Sequence, residues 1–184
     1  MGVNLLKKFN MLVTTSRGLE TDACSEIWSI LREMGDENPK VEMTGVRGLI
    51  AVETKLNPFN VVKGLRRIIA EKPWEVRHAI RVIPIERVVP TKIETMKEAV
   101  RELSSKIGEG ETFRVTVEKR RTSLRSMDII RAVAEDIDRK VNLEKPDRIV
   151  LIEVVGGLTG ISVIRPEDIL SVRREREEAL LSGG

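Results

Sequence analysis

Between Phe9 and Ile85 the apolar residues alternate between strand-like and helix-like spacing, and the order of those switches restricts the fold more than any motif in the chain. Residues 9–16 (FNMLVTTS) read as a strand. Cys24, Ile27, Leu31 and Met34 then recur at helical spacing from about Leu19, and Gly35 supplies the stop. Two short apolar runs, 41–44 and 49–54, are joined by Gly45-Val46-Arg47-Gly48 and read as a hairpin. Asn57 followed by Pro58 is an N-cap with proline in the first helical position. Val62, Leu65 and Ile69 make the stripe of that helix, and Pro73 ends it. Residues 79–85 close the series as a strand, placed near an edge because Pro84 lacks a ladder donor.

That order, β-α-β-β-α-β, is the ferredoxin-like arrangement, and it fills residues 1–87. A second α/β unit is expected over 88–173, followed by a charged tail, 174–184, that is an exposed helix or frayed. The fold class is therefore α/β in the α+β sense. Thr91 and Glu94 frame a capping box for a helix carrying Ile93, Met96, Val100, Leu103 and Ile107 inward. Phe113, Val115 and Val117 alternate with polar residues as a half-buried strand. Ser126 is the expected N-cap of a helix running to about Val141, with Met127, Ile130, Ala134 and Ile137 facing the core. Residues 149–155 and 161–164 are β-branched runs on either side of a glycine-rich turn, 156–160.

One cysteine, Cys24, and one histidine, His78, exclude a disulfide framework, a Cys/His zinc cage and any triad that lacks His78. Cys24 lies on an apolar helix stripe, where an inert buried thiol is expected, and His78 has no nucleophile or orienting carboxylate beside it in sequence. No apolar run approaches the roughly 18 residues of a membrane helix; the first residues have no signal-peptide order and the lone cysteine forms no disulfide, so a reducing cytoplasm is expected. The glycines at 156, 157 and 160 lie between strands, whereas a phosphate loop leads from strand to helix.

The strongest local feature is residues 117–128, a strand end, a basic loop and a helix start in succession. Lys119, Arg120, Arg121 and Arg125 stand beside the unpaired N–H groups of a helix N-terminus, a combination suited to phosphates. A solvated loop whose charges offset Glu118 and Asp128 is the competing reading. Lys7, Lys8, Arg17, Arg47, Arg66 and Arg67 are secondary cations with no sequence evidence of a shared face. Aromatics are only 3% of the chain, so a stacking platform for single-stranded bases is not expected.

The segment Thr112-Phe-Arg-Val-Thr-Val-Glu-Lys-Arg-Arg with Leu124-Arg-Ser-Met-Asp-Ile-Ile-Arg resembles the strand–loop–helix signature of the THUMP domain. Residues 146–155 and 160–164 are similar to its closing strands. That domain is shared by 4-thiouridine synthetases, tRNA methyltransferases and pseudouridine synthases, usually behind a ferredoxin-like unit. Because the resemblance runs over most of the chain, it implies a stand-alone THUMP protein similar to the Tan1-type tRNA-acetylation adaptors of archaea and eukaryotes. It implies tRNA as partner, gripped at the acceptor region, and an RNA cytidine acetyltransferase that makes N4-acetylcytidine. Lys119, Arg120, Arg121, Arg125 and Ser126 become candidate phosphate contacts, joined by Arg114 from the outward face of its strand.

With no defensible acid–base pair and no cofactor loop, the chain is expected to be a non-catalytic tRNA-binding protein that needs neither cofactor nor metal. The alternatives are a small RNA-modifying enzyme and a protein-interaction module without RNA affinity. A double substitution, Arg120→Glu with Arg121→Glu, is expected to spare the fold and weaken tRNA binding.

Overall fold

The computed structural model describes residues 8–183. Its elements run β1 (Met11–Thr15), α1 (Glu20–Glu33), β2 (Lys40–Met43), β3 (Leu49–Glu53), α2 (Pro58–Glu71), β4 (Ala79–Pro84) and β5 (Arg87–Pro90). They continue with α3 (Ile93–Leu103), β6 (Thr112–Arg120), α4 (Ser126–Ala134), β7 (Lys140–Val141), β8 (Arg148–Val155), β9 (Leu158–Ile164), β10 (Leu170–Ser171) and α5 (Val172–Ser182). Two compact units result. Of the described residues, one holds 8–84 and 168–183, and the other is Ile85–Glu167.

The first unit is an antiparallel sheet in the order β10-β4-β1-β3-β2, which contains the expected β-α-β-β-α-β series. Met11, Val13, Ile50, Val52 and Val82 point from the sheet into a core completed by Ala23, Ile27 and Leu31 of α1 and Val62, Leu65 and Ile69 of α2. Full burial of such side chains stabilises the unit by roughly 1.5–3 kcal/mol each. Asn57 caps α2 by accepting from the Phe59 and Asn60 N–H groups. Gly48 holds φ +75, and a Cβ there would lie 2.8 Å from the Thr15 carbonyl oxygen. The hairpin therefore packs against β1 only with glycine at that position.

β4 lies next to the edge: the outermost strand is the two-residue β10, whose Leu170 and Ser171 pair with Val82 and Arg81 and leave Pro84 uncovered by β10. The residues after Asp168 belong to this unit. Leu170 and Val172 lie in its core, and the half-buried Arg66 donates to the buried Glu175 at 2.8 Å. The guanidinium of Arg176 donates to the Pro73 and Val76 carbonyls.

The second unit is a mixed sheet, β5-β9-β8-β6-β7, with β6 parallel to β8 and β7. Its core joins Met96, Val100 and Leu103 of α3, Phe113 of β6, Ile129 and Val133 of α4, and Val150, Ile152 and Val154 of β8. β5 was not foreseen in the sequence; it pairs antiparallel with β9. α4 ends at Ala134, and the residue expected at its far end, Val141, stands in β7 instead. The buried face of α4 carries Ile129 and Val133, while Met127 is exposed. The turn between β8 and β9 is only Gly156-Gly157, and Gly160 is inside β9. Among the described residues no helix is long and apolar enough to cross a membrane.

Candidate nucleic-acid interface

In the second unit β5 and β9 are antiparallel, β9 and β8 are antiparallel, and β8 and β6 are parallel. It follows that β5 and β6 run the same way, and that α3 and α4, which follow them, begin at the same end of the sheet. Backbone bonds tie that end together. The Thr91 N–H donates to the Gly157 carbonyl at 3.0 Å, and the Gly156 N–H donates to the Arg120 carbonyl at 2.9 Å. The Thr91 hydroxyl donates to the Gly156 carbonyl at 2.7 Å, so it does not cap α3.

Both helices start without a side-chain cap, and the residues in the N-cap positions are Lys92 and Arg125. Ser126, expected as a cap, is the first helical residue. Serine, threonine, asparagine and aspartate are the stabilising N-caps, and a cation at the positive end of a helix dipole is unfavourable. Two helices thus open at one sheet end with N–H groups that no side chain caps and a cation beside each. Lys92 was missed because the capping-box pattern puts the cap of α3 on Thr91, one residue too early.

The loop from Arg121 to Arg125 is held from several sides. Arg121 adopts φ +54 and is exposed. The Thr122 hydroxyl accepts from the Leu124 N–H at 3.2 Å, and Leu124 packs against the core. Lys119 reaches across and donates to the Leu124 carbonyl at 2.9 Å, keeping its charge at the loop. Arg125 is exposed.

Two of the sequence candidates stand apart from this group. Arg120 donates to Glu153 at 2.7 Å, with only 18% of its side chain exposed and none of Glu153. Its charge is matched inside the protein. Arg114 lies six positions earlier on β6, about 20 Å away at the rise of a parallel strand. There it donates to the Leu143 carbonyl at 2.8 Å and the Thr116 hydroxyl at 3.3 Å. Acids match the cations at that far end: Glu111 pairs with Arg148 and Arg165, each at 3.2 Å. Hydrogen bonding from the Gly108 N–H, aided by those guanidinium groups, holds the Glu111 carboxyl below its ordinary pKa.

The loop end is cationic but not purely so, since Glu94 and Asp128 occupy the first turns of α3 and α4. In the first unit Lys8, Arg17, Arg47 and Arg67 are exposed, whereas Arg66 is engaged with Glu175. Lys7 lies outside the described residues. His78 has a structural place: its N–H donates to the Glu26 carboxylate at 3.0 Å and its carbonyl accepts from Thr15 at 2.8 Å. Burial raises the pKa of the half-buried Cys24, and the Glu20 and Glu42 carboxylates push the same way, so the thiol stays protonated. Among the described residues no group of three His, Cys, Asp or Glu side chains is placed to hold a metal ion.

Residues 90–164 match the THUMP domain, which implies RNA binding in tRNA modification. No curated protein matches the chain. The fold is similar to that of PH1313 from Pyrococcus horikoshii Ot3, at 18% identity and a TM-score of 0.63, over 86% of this chain and 55% of that one. It is similar to TrmN from Thermus thermophilus, at 18% identity and a TM-score of 0.56, over 87% of this chain and 47% of that one. A 4-thiouridine synthetase solved with RNA and ATP matches at 15% identity and a TM-score of 0.50, over 89% of this chain and 42% of that one. The chain thus spans about half the length of these proteins.

These matches overturn the expectation that the chain is not an enzyme. The same architecture is found within an RNA-modifying synthetase, so the lack of a recognisable acid–base pair in this sequence does not argue against catalysis.

Proposed function

We propose that this protein captures tRNA at the loop end of its second unit as part of an RNA-modifying activity. The observation that carries the reading is the grouping of Lys92, Lys119, Arg121 and Arg125 around two helix starts that lack side-chain caps. N–H groups without a side-chain cap, the positive ends of two helix dipoles and neighbouring cations each favour a phosphate, and here they coincide. Contacts of this type fix the position of a nucleic acid and carry little base information. With few aromatics to splay bases, recognition rests on backbone and shape, which suits a structured RNA. The acceptor region is the part of tRNA that the THUMP resemblance implies.

The chemistry is RNA modification, and the 4-thiouridine synthetase among the similar structures supports that class. The narrower form, in which a cytidine acetyltransferase acts on the captured tRNA to give N4-acetylcytidine, rests on the family resemblance alone.

The test is binding to whole tRNA, an acceptor-stem minihelix and duplex DNA of matched charge across a salt series. Three to four phosphate contacts give a log–log slope of roughly −3 to −4, by analogy with about −0.9 per contact on duplex DNA. Preference for tRNA or the minihelix with that slope supports the reading. Equal, shallow binding to all three removes it.

A further inference from the structure

β2 is the outer strand of the first unit's sheet, paired on one side with β3 and unpaired on the other among the described residues. The Thr44 N–H donates to the Leu49 carbonyl at 3.4 Å, and Thr44 and Leu49 are opposite each other when the β2–β3 register is continued. Antiparallel ladders alternate, so Lys40 and Glu42 also bond toward β3. The N–H and C=O groups of Val41 and Met43 therefore point outward along the free edge. Such an edge is a template for a further strand.

Side chains alternate as well. Val41 packs against the core on the helix side, and Met43, on the same side, is 49% exposed with its sulfur 4.0 Å from the Thr21 hydroxyl of α1. Trp28, also on α1, is 45% exposed, with the Arg32 guanidinium 5.3 Å from its ring centre. Lys40 and Glu42 lie on the opposite side of the strand; Lys40 is 58% exposed and pairs with Glu53 of β3 at the long distance of 3.6 Å, which leaves its ammonium at the surface. The edge thus offers unpaired backbone groups, an apolar margin, and one charge of each sign two positions apart.

We propose that two copies of this chain pair through their β2 edges, antiparallel and centred on Val41. In that register the two Val41 residues exchange N–H···O=C bonds, the pair that their outward groups permit. Lys40 of each copy then stands opposite the partner's Glu42, and opposite charges facing across an antiparallel pair are favourable. The register centred on Glu42 satisfies the same alternation but sets Glu42 against Glu42, which is unfavourable. Charge therefore selects one register and makes the strand complementary to itself. A two-fold contact of this kind closes as a dimer and continues the sheet across both copies. Pro39, which has no N–H, precedes β2 and limits the length of the shared ladder, so the dimer is weak and concentration-dependent.

The test is sedimentation velocity of the full chain over rising concentration, with K40E, E42K and an equal mixture of the two. The wild-type mass is expected to rise toward twice the monomer value. Each single variant is expected to stay monomeric, because every facing pair then has like charge. The mixture is expected to dimerise again, since the acidic positions of one variant meet the basic positions of the other. Thermal melts matching the wild type show that the variants are folded. A wild type that stays monomeric overturns the proposal, as do single variants that dimerise normally or a mixture that does not recover.

Discussion

Arg120 and Glu153 form a 2.7 Å ion pair on adjacent parallel strands, with the carboxylate fully buried. The strand register explains the pairing. Glu118 is opposite Glu153 and Arg120 is opposite Val155, so the arginine sits one diagonal step from the buried acid on the same face of the sheet. Removing one member of a buried pair leaves the other charge uncompensated, at a cost of roughly 3–5 kcal/mol. Arg120→Ala is therefore expected to lower the urea midpoint markedly, and Arg120→Glu to do so further by placing a second carboxylate beside Glu153. Arg121→Glu, on the exposed loop, is expected to lower the urea midpoint far less than Arg120→Ala. It should instead weaken tRNA binding and reduce the salt slope by about one. The double substitution expected from sequence to spare the fold is thus the wrong probe, because its Arg120 half acts on the core. Equal urea midpoints for Arg120→Ala and the wild type would refute the assignment.

Arg125 gives a sharper separation of binding from stability. It holds the N-cap position of α4 without making a cap, at the end of the helix where a cation is unfavourable. Arg125→Asp supplies a preferred capping side chain and reverses the charge, so the helix is expected to gain about 1 kcal/mol. Affinity for tRNA is expected to fall in the same variant. Lys92→Asp at the start of α3 should behave alike. Higher thermal stability with weaker RNA binding is the outcome to look for, read from melting curves and filter binding. A variant that is both more stable and binds tRNA unchanged would take the helix starts out of the interface.

The contrast between these residues marks what the sequence discloses. The first unit was legible because each helix carries its own apolar stripe, such as Val62, Leu65 and Ile69, and each turn its own glycine or proline. The basic loop was legible as a run of cations for the same local reason. The charge that is consumed inside the protein was not, since Arg120 meets a partner 33 positions away through a strand register that no local pattern encodes. The start of α4 was misread by one residue: the cap fell on Arg125 and the buried face on Ile129 and Val133. β5 has four residues and only half-buried valines, too little period-two signal to detect.

The terminal segment shows the same limit and yields a test. Its composition, rich in Arg and Glu, reads as exposed, yet Leu170 and Val172 are buried in the first unit's core and Glu175 meets Arg66 from 109 positions away. Burial of Leu170 and Val172 is worth roughly 1.5–3 kcal/mol each. A chain truncated after Glu167 also exposes the outer edge of β4. We expect it to lose the cooperative unfolding of the first unit, seen as early loss of amide protection in β4 and α2 by hydrogen exchange. Unchanged protection there would mean that the segment only rests on the surface.

Asp36 makes the acid stability of the first unit predictable. Its carboxylate is buried, which by itself disfavours the charge, but it accepts from the Thr54 hydroxyl at 2.5 Å, the Lys55 N–H at 3.0 Å and the Asn38 N–H at 3.1 Å. Those donors outweigh the desolvation and hold its pKa below the ordinary value. A carboxyl whose pKa is depressed on folding stabilises the native state above its unfolded pKa, near 4, and loses that contribution as pH falls through the folded value. Hydrogen bonds to a charged group contribute about 1.5–3 kcal/mol each, so Asp36→Asn is expected to cost roughly 2 kcal/mol at pH 7. The same variant should be less sensitive to acid than the wild type below about pH 4, because asparagine has no proton to gain. Urea unfolding from pH 7 down to pH 2.5 measures both effects, and the two stability curves should converge at the acid end. Curves that stay parallel throughout would show that the Asp36 charge contributes nothing to folding and that only the shape of its side chain matters.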